Sequence, residues 1–226
     1  MRRAVLGILV LATLSAPAGA AGQEPKTEEE KTLYALGLAV SQGLAAFNLS
    51  AAELELVKAG LADGVLKQPP KVELQAYGPK VRELQQARLA TVAAAEKTTG
   101  QAFLDKAAGE QGATKTASGL VISTIKPGAG ASPKASDQVR VHYHGTLADG
   151  SVFDSSVQRG APATFPLNRV IPCWTEGLQL MKVGGKSRLV CPSSLAYGDR
   201  GSPPRIKPGA TLVFEVELLE IVAAKP

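Results

Sequence analysis

Cysteine is scarce in this chain. Two thiols in 226 residues cannot build a disulfide-dense scaffold, nor complete a structural zinc site without histidine. Histidine is equally rare, at two residues. Aromatic residues make up 4% of the chain and are not interleaved with the scattered Lys and Arg, which removes nucleic acid as a main partner. There is no Gly-x-Ser-x-Gly elbow, no phosphate-binding glycine loop and no Cys-x-x-Cys pair. No apolar run reaches the roughly 20 residues that a bilayer requires, so no stable membrane insertion is expected. The 23 Gly and 15 Pro follow no fixed period, which excludes collagen-like and low-complexity chains. What remains is globular: 45% hydrophobic residues are enough to offset the entropy of ordering one large domain or two small ones.

The first twenty residues read as an address. Arg2 and Arg3 precede an apolar run over 4–14, and Ser15-Ala16-Pro17-Ala18-Gly19-Ala20 follows. This is the charged, apolar and small-residue pattern of a secretory signal cleaved after Ala18-x-Ala20. The expectation is an exported protein with residues 1–20 removed, which takes the formal charge from +5 to +3, because two Arg and no acid are lost. In an oxidising compartment Cys173 and Cys191 can pair. Two free buried thiols are the alternative.

The mature chain divides by hydrophobic period. Over 27–108 it is helical: Leu33, Leu36, Val40, Leu44 and Phe47 recur at three- and four-residue steps. Ser50 and Glu53 form a capping box ahead of Leu54, Val57, Leu61 and Val65, and Pro69-Pro70 stops that helix. A third helix runs from Leu74 and is open to kinks at Gly78-Pro79 and at Thr98-Thr99-Gly100. Single apolar stripes bury little alone, so residues 21–109 are expected to be a helical dimerisation domain, with a monomeric bundle as the alternative. Residues 110–118, rich in Gly, Thr and Lys, read as a linker. From 119 to 226 the period becomes two. Val139, Val141 and Tyr143 alternate with Arg140, His142 and His144, Asp149-Gly150 marks a hairpin, and residues 175–181 read as one short helix. The fold class is α+β: an all-helical N-terminal domain, then a curved antiparallel sheet wrapped on a short helix.

Ser123 and Lys126 spell Ser-x-x-Lys without its companion motifs, and His142 and His144 cannot close a metal site by themselves. More informative is a set of residues from separate turns and strand ends: Tyr143, Phe153, Asp154, Val170, Ile171, Trp174, Tyr197 and Phe214. An aromatic cleft with one carboxylate and one or two phenols suits a small ligand. Arg159 is the natural charge partner of Asp154, since an unpaired buried carboxylate is costly.

The stretches Val141-His142-Tyr143-His144-Gly145, Val152-Phe153-Asp154-Ser155-Ser156, Val170-Ile171-Pro172-Cys173-Trp174, Ala196-Tyr197-Gly198 and Thr211-Leu212-Val213-Phe214-Glu215-Val216 resemble the FKBP family of peptidyl-prolyl isomerases. The resemblance covers residues 116–226 in order. Tyr34-Ala35-Leu36-Gly37 and Phe47-Asn48-Leu49-Ser50 extend it to the dimeric Mip/FkpA-like branch. It implies rotamase activity on extended or unfolded proline-containing polypeptides, with no cofactor and no metal, a homodimer joined by the N-terminal helices, chaperone activity and a periplasmic setting. A macrolide is the implied small ligand. It also implies that Asp154, Tyr197 and the Ile171 backbone are the catalytic groups, and that Tyr143, Phe153, Arg159, Phe165, Val170, Trp174, Ile206 and Phe214 hold the substrate. A dimeric holdase that only grips clients is the other reading. Three positions depart from the family pattern: Cys173 stands where glycine is commoner, which supports a pair with Cys191; Ala163 replaces an aromatic wall and leaves Phe165 as the nearest; and Arg205 sits beside Ile206 where apolar pairs are frequent.

Overall fold

The helical period resolves into α1 (Glu28–Leu44), α2 (Ala51–Val65) and α3 (Leu74–Ala108) in a computed structural model that describes residues 24–222. The expected signal peptide, 1–20, lies outside the described residues. Among these, no helix is long and apolar enough to cross a membrane.

The chain divides into two compact units after Val40. In the first, Thr27 Oγ1 accepts the Glu30 N–H at 3.1 Å, and the Glu30 carboxylate accepts the Lys26 and Thr27 N–H groups at 2.7 and 2.9 Å. Three consecutive glutamates, Glu28 to Glu30, suit the positive end of the helix dipole. No residue of α1 is buried, and Leu33, Tyr34, Leu36 and Val40 are exposed. That is an apolar stripe left facing solvent.

In the second unit Ser50 and Glu53 form the expected capping box. The Ser50 backbone N–H, then Arg88, hold the Glu53 carboxyl down to about 2. The third helix is continuous across both suspected kinks. Thr98 and Thr99 turn their hydroxyls back onto the Ala94 and Ala95 carbonyls, and Gly100 is a contact point rather than a break. A Cβ there would lie 2.2 Å from Thr211 Oγ1.

The strands β1 (Ala113–Lys115), β2 (Val121–Lys126), β3 (Gln138–Leu147), β4 (Val152–Ser155), β5 (Ala163–Pro166), β6 (Lys186–Cys191) and β7 (Leu212–Val222) form one antiparallel sheet ordered β1-β2-β6-β7-β3-β4, with β5 also paired to β3. Period-two alternation sends Leu120, Val139, Val141, Leu189, Leu212, Val216 and Leu218 to one face, where they meet Trp174 and Leu178 of α4 (Pro172–Gln179). The opposite face carries Val121, Val190 and Val213, which pack with Leu104 and Ala107 of α3.

This second core corrects the reading of 110–118 as a linker. Ala113–Lys115 pairs with β2, Arg188 bonds Glu110 at 2.8 Å, and Ser118 donates to Glu176 at 2.6 Å. The last turns of α3 and this stretch belong to the folded body of the sheet. Its Gly, Thr and Lys content marks a short edge strand, which needs little side-chain packing.

The contact at Gly100 gives a paired prediction. Alanine gains up to about 1 kcal/mol over glycine in a helix interior, but overpacking costs about 1–3 kcal/mol. At Gly60 of α2 an added Cβ would meet nothing within 4 Å. Gly60→Ala is therefore stabilising and Gly100→Ala destabilising, and thermal melts by circular dichroism shift in opposite directions.

Candidate active site

β3 and β4 build one wall. Gly145 permits it: a Cβ there would come within 2.7 Å of the Phe153 ring, so only glycine lets that ring lie across β3. Ser156, fully buried, braces Tyr143 from behind, accepting its N–H at 2.7 Å and donating to its carbonyl at 3.2 Å. The floor comes from α4. That helix begins at Pro172 and not at residue 175 as expected, because proline is pre-organised for the first helical position. Thr175 donates its hydroxyl to the Leu167 carbonyl at 2.6 Å, and the Trp174 and Thr175 N–H groups close on the Ile171 carbonyl. These bonds fix Val170 and Ile171 at the edge of the floor.

The result is a cleft of about 450 Å³. Trp174 lies at its base, 4% exposed, with Tyr143, Phe165 and Phe214 set edge-on to the indole at centroid distances of 5.1, 5.5 and 5.4 Å. Phe153 meets Phe214 edge-on at 5.5 Å. Edge-to-face pairs of this kind contribute about 0.5–1.5 kcal/mol each beyond the area they bury. Trp174 Nε1 is buried and finds no hydrogen-bond partner among the described residues. Tyr197, 42% exposed, stands at the mouth. Its hydroxyl and the Ile171 N–H make no hydrogen bond among the described residues.

Charge is organised around Asp154. Tyr143 and Arg159 both donate to its carboxylate, and Arg159 Nη2 donates to the Tyr143 hydroxyl at 2.8 Å. Burial pushes the Asp154 carboxyl up, but the bonds from Tyr143 and Arg159 together outweigh it and leave it below the ordinary carboxylate value. Burial first, then the bond to Asp154, raises the Tyr143 phenol. At neutral pH the triad is thus an ionised carboxylate held by a neutral phenol and a cation.

A disulfide joins Cys173 to Cys191 with Cα atoms 5.8 Å apart, and both residues are fully buried. It ties the turn that carries Trp174 to the end of β6, from which the chain leads to Tyr197. His142 and His144 are half-buried and bonded to Ser156 and Ser155 at 3.1 and 3.0 Å. No group of His, Cys, Asp or Glu suited to a metal occurs among the described residues.

Of the residues expected at the site, Tyr143, Phe153, Asp154, Phe165, Val170, Ile171, Trp174, Tyr197 and Phe214 line the cleft, and Arg159 reaches it through Asp154. Ile206 does not line it. This side chain is 5% exposed, packs into the core and faces a separate groove with Pro203 and Pro204. One further residue, Arg169, lines the cleft, while Arg205 braces its wall by donating to the Phe153 carbonyl at 2.8 Å. No sequence signal marks Arg169 beyond its position just before Val170-Ile171.

Comparison with known proteins agrees with this geometry. Residues 130–219 match the family model described as FKBP-type peptidyl-prolyl cis-trans isomerase, and residues 29–122 match the domain amino terminal to it. The FKBP-type peptidyl-prolyl cis-trans isomerase FkpA of Aeromonas hydrophila is 44% identical over 224 residues, covering 94% of this chain and 83% of that protein. The FKBP-type 22 kDa peptidyl-prolyl cis-trans isomerase of Escherichia coli is 45% identical, covering 87% and 97%. The crystal structure of FkpA from Escherichia coli superposes with a TM-score of 0.67 at 38% identity, covering 88% of this chain and 99% of that one. With its aromatic cleft and its two-part match, this chain belongs to the FKBP-type peptidyl-prolyl cis-trans isomerase family and is an isomerase of that type.

Proposed function

We propose that the cleft floored by Trp174 binds the prolyl ring of an extended client and lowers the barrier to rotation about the preceding amide. That barrier is ~18–20 kcal/mol, because resonance is lost at the twisted state. A water-poor pocket disfavours the charge-separated planar amide more than the twisted one. Five decades of rate would need only about 7 kcal/mol, without a covalent intermediate. In this reading the ring rests on Trp174 between Tyr143, Phe153, Phe165, Val170 and Phe214. The free Ile171 N–H and Tyr197 hydroxyl hold substrate carbonyls, and Asp154 supplies fixed charge near the twisting bond. The observation that carries the reading is this pair of unsatisfied donors at the rim of a rigid aromatic floor.

The chain acts as an exported, periplasmic homodimer on unfolded or extended proline-containing polypeptides, and it also has chaperone activity. The exposed apolar stripe of α1, with Leu33, Leu36 and Val40, supports helix-mediated dimerisation. Two linked clefts raise the effective concentration for a long client. Refolding of a small protein limited by a proline tests the enzyme: the slow phase accelerates with catalytic amounts of the full chain. An unchanged slow phase, with client aggregation still suppressed, would leave only the holdase. Light scattering on the mature protein gives twice the monomer mass if the helices pair.

A further inference from the structure

The cleft carries charge at its rim that rotation about an amide does not itself require. Arg169 ends a short 3-10 turn, Leu167–Arg169, lines the cleft and is exposed. No hydrogen bond or ion pair engages its guanidinium among the described residues. Arg205, by contrast, is spent on the Phe153 carbonyl and does not line the cleft. The acids nearby are already committed. Asp154 is held by Arg159 and Tyr143, and Asp199, two residues past Tyr197, pairs with Lys97 at 2.5 Å. The cleft is left with one cation, Arg169, that no described carboxylate neutralises.

An exposed arginine in a loop is most often a solvated charge. Two features set Arg169 apart. It lines the same cleft as Val170 and Ile171, the residues that follow it in the chain. It also faces a concave, low-dielectric wall of aromatic rings, where a charge is less screened than on an open surface. We infer that Arg169 makes the protein select proline-containing segments with a carboxylate side chain on a residue flanking the proline, Arg169 being the specificity-determining residue. This rests on the cleft being the prolyl site. The effect on discrimination is that of a rim ion pair: roughly two- to fivefold for each charge attracted or repelled at low salt. It fades as the Debye length falls from ~10 Å at 0.1 M to ~3 Å at 1 M salt.

The test is the value of kcat/KM for full-length protein on short peptides with glutamate, glutamine or lysine beside the proline, on either side of it. The expected result is a glutamate-to-lysine ratio of about three to ten at low salt, approaching one near 1 M. Arg169→Glu inverts that ratio, whereas Lys126→Glu, on β2 outside the cleft lining, makes the same change in net charge and leaves it in place. Equal ratios for the wild type and Arg169→Glu overturn the inference, and so does an equal shift from Lys126→Glu, which would make the preference a property of overall charge. Turnover of the glutamine peptide with a flat charge series removes the specificity but keeps the isomerase. Failure to turn over any peptide removes both.

Discussion

Removing the disulfide with Cys173→Ala and Cys191→Ala lowers the free energy of unfolding by about 3 kcal/mol. The two residues are 18 apart in sequence, and in the chain-entropy account a closed loop of that size restricts the unfolded chain by this amount. Alanine is the right replacement because both sites are fully buried, where a serine hydroxyl without a partner would add its own penalty. Stability alone does not exhaust the role. Cys173 precedes the Trp174 floor, and Cys191 ends the strand from which the chain leads to Tyr197, so the bond couples the base of the cleft to its mouth. Below its melting temperature the double variant is expected to lose kcat/KM severalfold, mainly through KM, as the rim spacing loosens. Urea denaturation of the oxidised, reduced and double-alanine forms checks the first claim. A change below about 0.5 kcal/mol would show that the tertiary packing of α4 on the sheet already supplies the constraint.

Much of this architecture is legible in the residues alone, and the reasons differ by element. The capping box of Ser50 and Glu53 is a local signal and survives any tertiary context. The alternation of Val139, Val141 and Tyr143 with Arg140, His142 and His144 fixes which face of β3 is buried, because a one-residue slip would expose the whole set. The cleft residues stand out because aromatic side chains and a carboxylate at strand ends and turns do not fit a plain core. What escapes is non-local. Gly100 reads as a possible helix break until Thr211 is seen behind it. The edge strand at 113–115 has only three residues and little apolar content, so it carries no period of its own. Ile206 and Arg205 are neighbours in sequence, yet neither lines the cleft: Ile206 packs into the core beside a separate groove, and Arg205 bonds the Phe153 carbonyl. The start of α4 at Pro172 is legible too, since proline at the first helical position is a sequence-level signal.

Asp154→Asn keeps the shape of the side chain and removes its charge, which separates electrostatics from packing. A charged interaction is worth about 1.5–3 kcal/mol, so removing the fixed charge that Asp154 sets beside the twisting amide lowers kcat/KM by roughly ten- to a hundredfold. The change in stability is small by comparison, because the Arg159 and Asp154 side chains are 51% and 40% exposed and solvent screens their pairing. The pH dependence carries the sign. Burial raises the Asp154 carboxyl, and the bonds from Tyr143 and Arg159 overcome it, so the group ionises below its ordinary value near pH ~3.9. Its contribution is therefore complete above that ordinary value and disappears only as the pH falls through the lowered one. Tyr143 is displaced upward, away from neutrality. Wild-type activity on an uncharged peptide is accordingly flat between about pH 5 and 8, and its acid limb lies below the range of a free aspartate. The asparagine variant has lower activity with the acid limb gone. A wild-type limb centred above pH ~4 would mean that the carboxylate is not held as this geometry holds it, and the fixed-charge role of Asp154 would fall with it.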